Sequence, residues 1–331
     1  MTKKLPRLII KFKWIKKIMI METKANITKE ETKLVEKIKS LKKERKAIIL
    51  VHNYQRPEIQ DIGDYLGDSL GLCRIAAASD SEVICFCGVR FMAESAAILC
   101  PEKKIVLPAP EAGCSLADDL SIDTLREIKV KHPNAAVVCY VNSSAQVKAE
   151  SDICCTSANA IKVVNSLQGY NEIIFVPDHN LGHYVSLHTE KRIFLTDVYC
   201  NAHNPLTKDD VLKAKSKYPK AKLIAHPECT PEVLELVDFV SSTAGMVKYV
   251  RESGAREFII GTETGMVYRL KQEFPGFEFY PVSDKMLCEH MKLITLERLA
   301  KVLETLEPVI RIPEQIRLKA KRALEKMMEL V

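Results

Sequence analysis

The sequence predicts an α/β protein made of three similar small units, with parallel sheets around a pseudo-threefold axis and the active site at the centre. Three observations predict this. Short β-branched apolar runs alternate with helical patterns along the chain, the order that builds parallel sheets through right-handed crossovers. Three types of run recur: the leading runs begin at 47, 136 and 222, the second at 82, 172 and 257, and the third at 104, 192 and 277. Spacings of about 87 residues mark internal repeats. Polar residues end each leading run in register.

The elements follow in order. Thr28-x-x-Glu31 is a capping-box pattern that opens a helix over 26–46. AIILVHNY (47–54) reads as a buried parallel strand because it shows no polar alternation. The helical pattern LGLCRIAAAS (70–79) comes next, then the strands EVICFCG (82–88) and KIVLPA (104–109). Cys85 and Cys87 would share one face of their strand and read as core. The second unit opens with the amphipathic DTLREIKVKHP (123–133) and continues through AVVCYVN (136–142), ANAIKVVNSLQ (158–168), EIIFVPD (172–178) and RIFLTD (192–197). The third runs through KDDVLKAKSKYP (208–219), KLIAHPE (222–228), TAGMVKYVRES (243–253), EFIIGTE (257–263), FEFYPVS (277–283) and LERLAKVLETLEP (296–308). The expected boundaries are a basic, disordered N-terminal extension 1–25, a first unit 26–118, a second 119–204 and a third 205–308, with a final helix over 309–331 packing on the first unit.

Composition narrows the function classes. The 331 residues are 47% apolar and 28% charged, ordinary values for a folded protein. Lys+Arg minus Asp+Glu is 49 − 43 = +6, but residues 1–20 carry seven positive charges and no negative one, which leaves 6 − 7 = −1 for the rest. A neutral body argues against a nucleic-acid partner. Lysine or arginine interrupts every apolar stretch of the leader, so it is no secretory signal, and its functional reading is a membrane-surface or targeting arm. No apolar run is long enough to span a membrane. Eleven cysteines, an odd number without a signal peptide, do not read as a disulfide framework, and the reducing cytoplasm is the expected compartment.

The sharpest observation comes from the register. His52, Tyr140 and His226 anchor the three leading strand ends, and Ser69, Ser157 and Thr243 each follow by 17 residues (69 − 52, 157 − 140, 243 − 226). Cys114, Cys200 and Cys288 follow the same anchors by 62, 60 and 62 (114 − 52, 200 − 140, 288 − 226). Three hydroxyls, three thiols and three polar strand ends thus share equivalent places, and ligands of open parallel sheets bind outside the carboxyl ends of strands. The hydroxyls precede helical patterns, where helix N-termini can host carboxylate or phosphate; plain capping is the bland alternative. Three cysteines without any CxxC could hold zinc or an iron–sulfur cluster, against simple buried packing for each taken singly. A cluster on three thiolates would leave one iron open as a Lewis acid. Tyr54, Tyr140, Asn142, His52, His226 and Glu228 are too polar for buried strand ends unless they face a cavity, and they offer imidazole, phenol and carboxylate for acid–base work. Asp178 and Glu263 end second-type strands and could support them. GxGxxG, GxxxxGK[ST] and HExxH are all absent.

VHNY (51–54), GDS (67–69), CGVRFMAESA (87–96), GCSLAD (113–118), YVN (140–142), TSAN (156–159), PDHNLG (177–182), HPE (226–228), STAGM (242–246), GTETG (261–265) and CEHMKL (288–293) resemble, in this order, the quinolinate synthase family of prokaryotic NAD biosynthesis. The resemblance covers about residues 30 to 300 and implies three α/β domains about a pseudo-threefold axis. It implies Cys114, Cys200 and Cys288 as ligands of a [4Fe-4S] cluster. It implies His52, Ser69, Tyr140, Val141, Asn142, Ser157, His226, Pro227, Glu228 and Thr243 as substrate contacts, with Tyr54, His226 and Glu228 as catalytic candidates. The implied reaction condenses iminosuccinate with dihydroxyacetone phosphate to quinolinate, phosphate and water, with functional coupling to the enzyme that supplies iminosuccinate. Many members have Trp-x-Gly-x-Cys-x-x-His at the second cysteine; here Thr196-Asp-Val-Tyr-Cys200-Asn-Ala-His203 stands instead. Diphthamide synthase-like subunits and the reductase ending the methylerythritol pathway share the three-cysteine plan but not the HPE, YVN and GDS strand ends. A non-catalytic metal-binding module is the alternative of a different class.

Overall fold

The computed structural model describes residues 28–330; the basic extension 1–25 lies outside them. The described strands form three sheets of four, with every pairing inside them parallel. The first contains β1 (Ala47–His52), β2 (Tyr65–Gly67), β3 (Val83–Cys87) and β4 (Lys104–Val106) in the order β2-β1-β3-β4. The second contains β5 (Ala136–Tyr140), β6 (Ile153–Cys155), β7 (Glu172–Val176) and β8 (Arg192–Phe194) in the order β6-β5-β7-β8. The third contains β9 (Lys222–Ala225), β10 (Phe239–Val240), β11 (Glu257–Gly261) and β12 (Glu278–Pro281) in the order β10-β9-β11-β12. The architecture is the α/β class with three like sheets.

Three of the four strands in each sheet are the recurring runs of the sequence. The fourth, β2, β6 or β10, is only two or three residues long, too short to display a period. An aspartate fastens each one. Asp64, Asp152 and Asp238 lie twelve residues beyond the three anchors (64 − 52, 152 − 140, 238 − 226). Their backbone N–H groups donate to Ile49, Val137 and Leu223 at 2.9, 3.0 and 2.8 Å. Their carboxylates accept from the N–H of the same three residues at 2.8, 2.8 and 2.9 Å. Donors and acceptors at the start of each leading strand are thereby paired, as a buried backbone requires.

Both faces of the sheets are covered, which explains the uninterrupted apolar runs. In the third sheet Leu223, Ala225 and Ile259 enter one cluster while Ile224, Phe258 and Ile260 enter the other, the alternation a strand imposes. The first two sheets share one continuous core. At the N-terminus the capping box closes as read: Glu31 N donates to Thr28 Oγ1 at 3.1 Å and Thr28 N to Glu31 Oε2 at 2.7 Å, opening helix Lys29–Glu44.

The C-terminal segment packs on more than the first unit. Helix Leu296–Thr305 buries Leu296, Leu299, Ala300, Val302 and Leu303, one stripe at helical spacing, and lays it on helix Lys29–Glu44 of the first unit. Lys37 and Glu304 pair across that contact at 3.1 Å. Val309 then bridges Val106 in antiparallel fashion. The last helix, Glu314–Glu329, touches Arg90–Leu99 of the first unit but packs mainly on Ala145–Ala149 and β6 of the second. It covers the apolar seam between the two sheets that share a core, rather than one unit alone. Among the described residues no helix is long and apolar enough to cross a membrane.

Candidate active site

Every parallel strand presents its carboxyl end on the same edge of its sheet, so the polar residues that end the leading strands meet. One cavity takes residues from all three units. Its lining includes His52, Tyr54, Ser69 and Cys114 from the first, Tyr140, Val141, Asn142, Ser157 and Cys200 from the second, and His226, Glu228, Thr243 and Cys288 from the third. Of the residues expected from the sequence only Pro227 is outside it; Pro227 lines an adjoining surface pocket together with Ser157 and Lys248.

Two of the three hydroxyls, Ser69 and Thr243, sit beside helix caps and are not the caps themselves, whereas Ser157 lies two residues before Asn159, the residue that precedes helix Ala160–Ser166. Asp68 caps helix Ser69–Ala78 by accepting from Gly71 N, and Ser242 caps helix Thr243–Glu252 by accepting from Gly245 N. Ser69 and Thr243 are therefore the first residues of their helices, with their side chains released to the cavity. Thr243 Oγ1 accepts from Asn53 Nδ2 at 3.1 Å, and Ser157 Oγ pairs with His226 Nε2 at 3.0 Å.

Glu228 is the hub. Tyr140 donates to its Oε1 at 2.6 Å, and His203 Nδ1 stands 2.8 Å from its Oε2. His226 Nδ1 is 3.7 Å from the same oxygen, and Asn180 Nδ2 donates to the Glu228 carbonyl at 3.0 Å. Asn142 Oδ1 is buried with no partner.

The three thiols are free and face one another closely enough that each charge would oppose the next. Amide N–H groups of Leu116 and Ala117 point at the Cys114 sulfur, and those of His290 and Met291 at the Cys288 sulfur. Such donors favour thiolates and tune a bound metal centre. Behind Cys288, Glu263 accepts from Cys288 N at 3.3 Å and Gly265 N at 2.7 Å, and pairs with Lys292 at 2.9 Å. Among the described residues one group, Cys200, His203 and Glu228, brings its donor atoms within 4.8 Å of one another, a spacing suited to a single ion. A polynuclear cluster, which binds each thiol at a different metal, spreads its ligands further than a single ion does.

A family model described as Quinolinate synthetase A protein matches residues 36–329. The chain belongs to the quinolinate synthase family. It is 53% identical over 302 residues to quinolinate synthase 2 of Methanosarcina acetivorans, covering 91% of this chain and 97% of that protein. It is likewise 53% identical to the quinolinate synthases of Dehalococcoides mccartyi, over 88% of this chain and 97% of theirs, and of Geotalea uraniireducens, over 88% and 95%. The protein is thus an enzyme of this family.

Electrostatics divides the cavity's groups into one base and several donors, a pattern suited to a quinolinate synthase. Burial lowers His52 to about 3 and His226 to about 4, outweighing the attraction of Glu228, so both imidazoles are neutral at physiological pH. Burial pushes the Glu228 carboxyl up, but His226, His203 and the bond from Tyr140 outweigh it and hold the carboxyl below its ordinary value. Burial raises the Tyr54 and Tyr140 phenols, which stay protonated. Burial also raises all three thiols, Cys288 to about 11, so a metal must displace their protons. The Thr262 hydroxyl joins the network, 2.6 Å from the Tyr54 phenol oxygen and 2.8 Å from His203 Nε2. Sequence reasoning missed both His203 and Thr262. The Cys200-x-x-His203 spacing carried a signal for the first, and Thr262, at the polar end of β11, none beyond its position.

Proposed function

We propose that this enzyme condenses iminosuccinate with dihydroxyacetone phosphate to form quinolinate. The observation that carries the reading is the convergence of the three register cysteines, the three hydroxyls and the Glu228 hub on one cavity of a quinolinate synthase family member. Balancing atoms, the two substrates yield quinolinate, phosphate and two waters. A [4Fe-4S] cluster on Cys114, Cys200 and Cys288 would supply one iron without a protein ligand, a Lewis acid for a substrate oxygen.

The chain's own residues account for binding and proton movement. Few cations line the cavity, so the hydroxyls of Ser69, Ser157 and Thr243 and the amides at the helix starts of Ser69 and Thr243 host the carboxylates and phosphate. The unpaired Asn142 Oδ1 accepts from a substrate N–H or O–H. Glu228, an ionised carboxylate among neutral donors, is the general base, and Tyr54 or His226 is its proton partner. The burial of His52, His226 and Glu228 keeps bulk water from the reacting groups. Supply of unstable iminosuccinate ties the enzyme to the one that makes it, and the reducing cytoplasm is the compartment that suits the thiols.

The test is quinolinate formation by anaerobically reconstituted protein given both substrates. Product that requires both supports the reading. No quinolinate from protein with full iron content, under conditions where a known quinolinate synthase is active, overturns it.

A further inference from the structure

We infer that Thr262, which is not among the residues lining the cavity, is the positioning residue that ties the Tyr54 phenol to Glu228 through His203. This rests on the reading of Tyr54 and Glu228 as acid–base groups of quinolinate formation. Thr262 directly follows β11 and is 1% exposed. Its single hydroxyl lies 2.6 Å from the Tyr54 phenol oxygen and 2.8 Å from His203 Nε2. No other pair of bonds in the described network joins the first unit's tyrosine to the second unit's histidine.

The bonds form one continuous line. His203 Nδ1 stands 2.8 Å from Glu228 Oε2, and the Thr262 hydroxyl meets both His203 Nε2 and the Tyr54 phenol oxygen. Phenol, hydroxyl, imidazole and carboxylate thus follow one another at hydrogen-bond distance, and the place of the hydroxyl fixes that of the phenol oxygen at the edge of the cavity. Tyr140 donates to the other oxygen of Glu228 at 2.6 Å, so aligned donors from two sides end on one carboxylate. Thr262 sets the orientation of Tyr54 without touching substrate.

Valine matches threonine in shape but lacks the hydroxyl, and serine keeps the hydroxyl. The experiment measures steady-state quinolinate formation by Thr262→Val, Thr262→Ser, Tyr54→Phe and the Thr262→Val/Tyr54→Phe double variant, at matched iron content. The expected result is a turnover loss of about tenfold or more for Thr262→Val with little change in either Michaelis constant, the scale of one lost bond in a buried network. Serine should restore turnover, and the double variant should be no slower than Tyr54→Phe, because both changes cut the same link. Normal turnover in Thr262→Val, failure of serine to restore it, or multiplying losses in the double variant would overturn the inference while leaving the reaction itself standing. A wild-type protein that forms no quinolinate would remove both. Should the valine protein fail to load iron, Thr262→Ala carries the same comparison.

Discussion

Replacing Glu228 with glutamine preserves the shape of the hub and removes its charge. Glu228 accepts from Tyr140 at 2.6 Å and faces His203 Nδ1 at 2.8 Å, with both carboxylate oxygens engaged. The glutamine carbonyl can serve one of these donors, but its amide turns a donor toward the other. The lost bond was to a charged acceptor and is worth roughly 1.5–3 kcal/mol. Stability should fall by less, because the desolvation of a buried carboxylate disappears at the same time. Turnover should fall much further, by the ~10²–10⁴ typical of a general base, which is about 3–5.5 kcal/mol of barrier. The assay is steady-state quinolinate formation at saturating substrate, with iron content confirmed equal to wild type. Turnover close to wild type in such a protein would refute the assignment of Glu228 as base.

Other outcomes follow from the same geometry. Alanine at Ser69, Ser157 or Thr243 should chiefly raise a Michaelis constant, by about 10- to 150-fold if each hydroxyl bonds a charged substrate group, with turnover less affected; an unchanged constant for Ser157→Ala would show that its bond to His226 is its whole role. Asp238 offers a pH test outside the cavity. Burial pushes its carboxyl up, but the Leu223 N–H and the Lys222 ammonium outweigh it and hold the carboxyl below the ordinary range. Its folded pKa lies below the unfolded one, so its stabilisation is full above the ordinary carboxylate range and is lost as pH falls through the lowered value. Urea titrations should show Asp238→Asn less stable than wild type at neutral pH, with the gap closing as the pH falls below the ordinary carboxylate range; a gap that widens on acidification contradicts the anchor role.

Much of this was legible in the sequence because the three units repeat. Buried parallel strands must be apolar on both faces, so β1, β5 and β9 announce themselves, and what breaks their pattern at the ends, His52, Tyr140 and His226, marks the cavity. The cysteine and hydroxyl offsets placed further residues on its lining. The edge strands β2, β6 and β10 were hidden by their brevity, although the aspartate that fastens each repeats at a constant offset. Thr262 was hidden for another reason. Its role depends on two partners distant in sequence, Tyr54 and His203, and no local spacing encodes that meeting. The last helix carries an apolar stripe, Ala320, Ala323, Leu324 and Met327, that shows it must pack but not on what. Its position depends on the seam between two sheets, a property of the assembled fold.

The central claim is that three cysteines, one from each repeat, hold a single cluster at the cavity where Glu228 acts. Quantifying iron, acid-labile sulfide and zinc in anaerobically purified wild type and in the Cys114→Ser, Cys200→Ser and Cys288→Ser proteins tests it most directly. The account predicts about four irons and four sulfides per chain in wild type, as one cubane requires, lost together with the brown colour in each of the three variants and retained in Cys73→Ser and Cys100→Ser. Stoichiometric zinc without iron, or a full cluster in the Cys288→Ser protein, would contradict it.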